Sequence, residues 1–295
     1  MTQQVMFGGD WTQRKLEVLS KYLRAYRRIF ERNARARYFR VSYVDAFAGT
    51  GVVPRPGIEG AFAELIPVLS TAEEEFRKGS VTRALEVDPP FHQYLFIEKS
   101  RAKCEELALL REQFPKRKIE IVNDDANAAL LEWCKKVDTK RERAVIFLDP
   151  FGASVEWSVV EAIAQTRCVD IWILFPYGAV NRMLTRGRMP SPSWSEKLTR
   201  IFGTSAWEDR FYSSRLTTSI LDPVQEIESI HKTADQKVIV DFFVERLRTI
   251  FAEVANPGLL FNSKGLLFVL FSAANNKTAV KIANDLMRDI TRQGL

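Results

Sequence analysis

Between Trp11 and Tyr38 the apolar residues Leu16, Leu19, Leu23, Tyr26 and Phe30 recur at three- and four-residue steps. That spacing predicts an amphipathic helix with one core-facing stripe. The pattern then changes to short, near-continuous apolar runs: Val41–Asp45, Tyr94–Glu98, Ile119–Val122, Ala144–Asp149 and Asp170–Phe175. Runs of this kind alternating with helical stretches predict a parallel sheet covered on both faces. Arg101–Phe114 places Cys104, Leu107, Leu110 and Phe114 on one helical face. Lys237–Phe251 reads as a further amphipathic helix, Gly265–Phe271 as a last buried strand, and Ala279–Ile290 as a closing helix.

Two segments break the alternation. Residues 52–92 separate the first two strands by far more than one helix, opening with Pro54, Pro56, Gly57 and Gly60 and ending in Pro89-Pro90. Residues 177–235 include the basic, Pro/Ser-rich passage from Arg182 to Trp194. Both read as insertions at strand ends, where α/β proteins place their working parts. The expected organisation is a basic N-terminal helical segment over 1–40 packed on the core, then one α/β domain over 41–295 carrying insertions at about 52–92 and 177–235.

Composition bounds the class. The 295 residues are 46% hydrophobic, 27% charged and 11% aromatic, which excludes low-complexity disorder. No apolar run is long enough for a membrane span, and no signal peptide is evident, so a cytoplasmic location is expected. Three widely spaced cysteines, Cys104, Cys134 and Cys168, and only two histidines predict neither a disulfide framework nor a metal site. The net charge is +6, but residues 11–40, with ten basic and two acidic side chains, carry +8, so the rest of the chain comes to −2. The basic helix is open to two readings, a solvated face or a contact surface for phosphates.

The chemistry-bearing residues cluster at strand ends. Asp45-Ala-Phe47-Ala-Gly49-Thr-Gly51 follows the first run directly, and its glycines permit a tight turn and close backbone approach to a ligand. The third glycine and the Gly-Lys-Ser/Thr of phosphate-binding loops are missing, which suits a ligand without phosphate. Glu98 ends the second run, where a carboxylate can accept both ribose hydroxyls. Asn123-Asp124-Asp125 ends the third, where Asp124 or Asp125 can take an adenine amine. Together these describe a nucleoside pocket in the crevice of an open sheet. Asp149-Pro150-Phe151-Gly152 closes the fourth run. A carboxylate, a carbonyl outside any ladder and a flat ring at one strand end match the needs of methylating an exocyclic amine: two acceptors hold the N–H groups while the ring stacks on the target base.

The series resembles a class I S-adenosylmethionine-dependent methyltransferase of Rossmann type. More closely, the chain resembles the three-Cys-motif partner family (TcmP), through Trp11, Lys15 and Leu19, Tyr43–Gly51, Phe96-Ile-Glu98, Leu148–Gly152 with Trp157, Phe175–Gly178 and Phe271–Asn276. The resemblance implies a mostly parallel seven-stranded sheet in the order 3-2-1-4-5-7-6, the seventh strand antiparallel, with helices on both faces. It also implies S-adenosylmethionine as cofactor and a separate partner protein bearing a three-cysteine motif. By analogy with amino-methyltransferases, Lys15 would meet the methionine carboxylate. The aromatic of the Asp-Pro group stands one place earlier than in the Asp-Pro-Pro-Tyr pattern. A carbon-methylating mechanism lacks its Pro-Cys nucleophile.

The functional expectation is methyl transfer to an exocyclic amine of a nucleic-acid base, adenine favoured. Asp149, Pro150 and Phe151 would act on the acceptor, and Asp45, Phe47, Gly49, Gly51, Glu98, Asp124, Asp125 and Lys15 would hold the cofactor. Gly152, Tyr177, Arg182, Arg186 and Arg188 would contact the substrate. The alternative is an accessory module of the same fold serving a three-cysteine-motif protein. A dehydrogenase reading is disfavoured by the missing third glycine.

Overall fold

The computed structural model describes residues 9–48, 79–149, 155–218, 226–262 and 265–292. The opening amphipathic pattern forms helix α1, Gly9–Arg32, ending short of the expected Tyr38. Asn33 stops it. Its backbone N–H still donates to Ile29, but its side-chain oxygen takes the N–H of Arg35 at 3.0 Å and its carbonyl takes that of Ala36, turning the chain as Asn commonly does.

The expected strands follow as β1 (Arg40–Asp45), β2 (Gln93–Ile97), β3 (Ile119–Val122), β4 (Glu142–Leu148) and β5 (Val169–Phe175), with α2 (Arg101–Gln113), α3 (Ala126–Lys136) and α4 (Trp157–Thr166) between the later ones. The inserted segment holds α5 (Tyr177–Met183), α6 (Pro192–Phe202), α7 (Trp207–Phe211) and a hairpin of β6 (Tyr212–Thr218) with β7 (Glu226–Lys232). The chain closes with α8 (Gln236–Arg248), β8 (Glu253–Val254), β9 (Gly258–Asn262), β10 (Gly265–Ala274) and α9 (Lys277–Arg292).

The main sheet runs β3-β2-β1-β4-β5-β10-β8, with β9 also on β10. The first five strands are parallel, and β10 is antiparallel to β5, with Phe271 opposite Ile173. β8 and β9 occupy one lane along the far edge of β10, so the edge of the sheet is a single strand broken in two. The break falls at Asn256-Pro257. Pro257 has no N–H for a ladder, and the N–H of Asn256 turns away to the side chain of Asn284 on α9 at 2.7 Å.

Alternation along each strand supplies two cores. Val44, Leu95, Ile97, Ile146, Leu148, Ile171, Ile173, Phe175 and Phe271 pack with α3, α4, α6 and α8. Tyr43, Tyr94, Phe96, Val145, Phe147, Trp172 and Leu174 face α1, the helical residues 79–85, α2 and α9. The first core centres on rings, with Phe243 at 4.7 Å from Phe175 and 4.8 Å from Phe271. Burying each such side chain contributes about 1.5–3 kcal/mol. Leu16, Leu19, Leu23 and Tyr26 of the α1 stripe are buried as expected, Phe30 is only partly buried, and Tyr22 joins them in the core. Arg27 fits neither reading of the basic helix, a solvated face or a contact surface for phosphates. It is buried, donates through Nε to the Pro90 carbonyl at 2.7 Å and lies over the Phe91 ring.

Candidate active site

The carboxyl ends of β2, β1 and β4 lie side by side, and each delivers a buried acid. Asp45 ends β1, level with Phe96 on β2 and Phe147 on β4. Glu98 and Asp149 follow two residues past those partners, so the three acids form a row across neighbouring strand ends that is stepped at Asp45. Each residue is 1% exposed. Glu98 and Asp149 rise above Asp45 by about 7 Å of strand.

Asp45 is engaged internally. Tyr43 Oη and Ser80 Oγ donate to its Oδ2 at 3.2 and 3.0 Å, and the Phe47 N–H donates to Oδ1 at 3.3 Å. Burial pushes its acid up to about 7 against the pull of the Ser80, Phe47 and Tyr43 hydrogen bonds, and the Asp149 charge adds to the rise. The Tyr43 hydroxyl is likewise raised, by burial first, then by Asp45, and also by Asp149. Asp149 therefore shares their electrostatic surroundings. The chain leaving β1 is pinned across both neighbours, Ala46 N–H to the Phe147 carbonyl at 3.2 Å and Ala48 N–H to the Ile97 carbonyl at 3.1 Å. Phe47 is buried in the core beside Val44 and Ile97, so it anchors the start of the glycine loop.

Glu98 Oε1 accepts the Ser100 N–H at 2.6 Å, which orients the carboxylate at the turn into α2. Asn123 Nδ2 donates to the carbonyls of Glu98 and Lys99, both at 2.9 Å, sewing the loop after β3 to the loop after β2. The two aspartates that follow are divided in role. Asp125 caps α3, accepting the N–H groups of Asn127 and Ala128, and pairs with Lys99 at 3.6 Å. Asp124 is exposed, and its Oδ1 accepts the N–H of Asp125 at 2.7 Å.

Tyr177 begins α5 directly after β5 and is buried. A Cβ on Gly178 would come 3.4 Å from Leu267 Cδ1, so this helix sits tightly on β10. Arg182, Arg186 and Arg188 are exposed on and just after α5. Gly49, Gly51, Pro150, Phe151 and Gly152 lie outside the described residues, and so does the side chain of Lys15, although its backbone belongs to α1. Ser80, Asn181 and Lys232 were not singled out from the sequence. Ser80 sits in an insertion with no local signal, and the other two gain their meaning from contacts across 51 positions.

The two basic regions separate. Leu16 of α1 meets Gly79, next to Ser80 and Asp45, where a Cβ would come 2.5 Å from Leu16 Cδ1. The start of α1 thus lies at the carboxyl edge of the sheet. Its far end leads into Arg40 at the start of β1, on the opposite edge, so exposed Arg32, Arg35, Arg37 and Arg40 gather away from the acid row. The α5 arginines lie on the same edge as that row.

Among the described residues, no group of three or more His, Cys, Asp or Glu is placed to hold a metal ion. The Cys104, Cys134 and Cys168 thiols are all raised, by burial first. None is activated as a nucleophile. No helix of the described residues is long and apolar enough to cross a membrane.

The strand order, the antiparallel β10 beside β5 and the helices on both faces define a Rossmann-like fold of the class I methyltransferase type. No protein-family model matches the chain, and no curated protein matches it. Among solved structures it is similar to protein LPL1258 from Legionella pneumophila, with 14% identity, a TM-score of 0.39 and coverage of 90% of this chain and 98% of that one. It is also similar to the N-terminal domain of EvdMO1 with SAH bound, with 9% identity, a TM-score of 0.38 and coverage of 88% and 81%.

Proposed function

We propose that this chain is an S-adenosylmethionine-dependent methyltransferase acting on an exocyclic amine of a nucleic-acid base, adenine favoured. The observation that carries the reading is the row of buried acids Asp45, Glu98 and Asp149 across three neighbouring strand ends. The donor set suits a nucleoside. Glu98, oriented by the Ser100 N–H, would accept ribose hydroxyls, and exposed Asp124 the adenine amine. Asp45 holds the turn that leads to Gly49 and Gly51, and Lys15 starts from the same edge.

S-adenosylmethionine supplies, when bound, a methyl group already activated on a positive sulfur. The chain's own part is placement. Asp149 and the Pro150 carbonyl would accept the amine N–H groups and turn the nitrogen lone pair toward that methyl, with Phe151 against the base. Asp149 would also take the surplus proton from the nitrogen and pass it to water. As the resemblance to the TcmP family suggests, a three-cysteine-motif protein would be its working partner.

Calorimetric titration with S-adenosylmethionine tests the cofactor, and transfer of a labelled methyl group to RNA and DNA tests the reaction. The wild-type chain should bind and transfer, whereas Asp149→Ala should bind and not transfer. No binding at about 1 mM ligand, an affinity weaker than about 4 kcal/mol, overturns the reading. Cofactor binding with no transfer to any nucleic acid favours the accessory module.

A further inference from the structure

The inserted segment after β5 gathers cations that the sequence scatters. Lys232, the last residue of β7, donates its backbone N–H to the Arg186 carbonyl at 2.9 Å and its ammonium to Asn181 Oδ1 at 2.5 Å. The loop between them is held at a second point, where Tyr212 Oη donates to the Thr185 carbonyl at 3.0 Å and the Thr185 hydroxyl donates to the Arg188 carbonyl. Arg186 and Arg188 are thus presented on a fixed loop rather than on a free one.

The electrostatics of this arrangement are unfavourable as they stand. Lys232 is half-buried, and the charge of Arg186 reaches it strongly enough to add to the burial that lowers its proton affinity. Among the described residues no carboxylate forms an ion pair with Arg186, Arg188 or Lys232. Desolvating one cation beside another costs stability unless an anion joins them. Packing does not require it, since a neutral side chain could donate to Asn181 equally well.

We propose that Lys232, Arg186 and Asn181 form an anion subsite that holds a backbone phosphodiester of a nucleic-acid substrate, with Arg188 extending the contact. The inference rests on the methyltransferase reading for the identity of the substrate. Asn181 lies one helical turn, about 6 Å, beyond Tyr177, which itself follows β5 beside the strand that delivers Asp149. β4 and β5 are neighbouring parallel strands, so this subsite and Asp149 share the carboxyl edge of the sheet. Two cations and an amide donor suit a phosphate, which offers several acceptor oxygens around one centre. The arginines at the far end of α1, on the opposite edge, have no part in it.

The test uses the full chain, a fluorescein-labelled 20-nucleotide single strand, and potassium chloride varied from about 50 to 300 mM. Lys232→Gln and Arg186→Gln should each weaken binding about tenfold at the lower salt and reduce the steepness of the salt dependence by about 0.7, one phosphate contact on a single strand. Neither should lower the melting temperature, because each relieves a like-charge pair, and calorimetric binding of S-adenosylmethionine should be unchanged. Arg28→Gln should leave the salt dependence as it is. Wild-type affinity and slope in both variants overturn the subsite, as does competition by polyglutamate equal to that of unlabelled oligonucleotide, which would assign the surface to an acidic protein. Absence of cofactor binding in the wild type alongside the expected salt slopes overturns the methyltransferase reading alone.

Discussion

The Tyr22 hydroxyl donates to Asp170 Oδ2 at 2.7 Å, tying α1 to β5 across 148 positions of sequence. The Trp172 ring packs edge-on to Tyr22 at 4.7 Å. Through this contact the basic helix is a structural layer of the sheet before it is anything else.

The same contact makes stability depend on pH. Burial pushes the Asp170 acid up to about 7, opposed by the Tyr22 hydrogen bond and by Arg143. In the unfolded chain the acid has its ordinary value near 4. Between those limits the folded chain keeps a proton that the unfolded chain has released, so stability falls as pH rises through the window and the full penalty holds above it. Asp170→Asn keeps an acceptor for Tyr22 and removes the ionisation. The variant should match the wild type near pH 4 and exceed it at pH 8 by on the order of a few kcal/mol. Chemical denaturation at both pH values checks this, and an equal difference at each would contradict it.

Asp124 and Asp125 should separate under mutation. Removing the cap, Asp125→Ala, should cost about 0.5–2 kcal/mol, since two N–H groups of α3 lose their acceptor. Asp124→Ala should leave stability within about 0.5 kcal/mol while weakening binding of S-adenosylmethionine. Urea denaturation and calorimetry on the pair read the two effects independently.

Arg27 and Arg28 are adjacent and both basic, but only Arg27 is buried, over Phe91 and against the Pro90 carbonyl. Arg27→Gln should destabilise by about 1–3 kcal/mol through lost packing and a lost charge-assisted hydrogen bond. Arg28→Gln should change stability by less than about 0.5 kcal/mol. Equal effects would show that Arg27 is not part of the core.

Gly203 ends α6 with φ +67°, and a Cβ there would lie 2.0 Å from Trp157 Cδ1. Backbone strain and collision act together, because the Trp157 ring is held between Phe243 and the Arg246 guanidinium. Gly203→Ala should cost more than the about 1 kcal/mol of an ordinary left-handed substitution. Thermal denaturation would detect it directly.

Much of this molecule is legible one residue at a time. Continuous apolar runs and three- to four-residue spacing are local signals, and they place six strands, the main helices and the acids at strand ends close to where they stand. The β6–β7 hairpin escaped because its strands, Tyr212–Thr218 and Glu226–Lys232, are polar and carry no apolar run. The broken edge strand escaped because only Pro257 is a local signal for it, while the N–H of Asn256 is drawn off by a side chain on α9. Sequence by itself determined which residues seek the core and which acids close the strands, since burial and β-alternation follow from local pattern. Tertiary structure alone decided that Ser80 reaches Asp45, that Arg27 goes inside, that Lys232 meets Arg186, and that the basic regions lie on opposite edges of the sheet. These are relations between distant segments, set by strand order and register, and no local period of the chain encodes them.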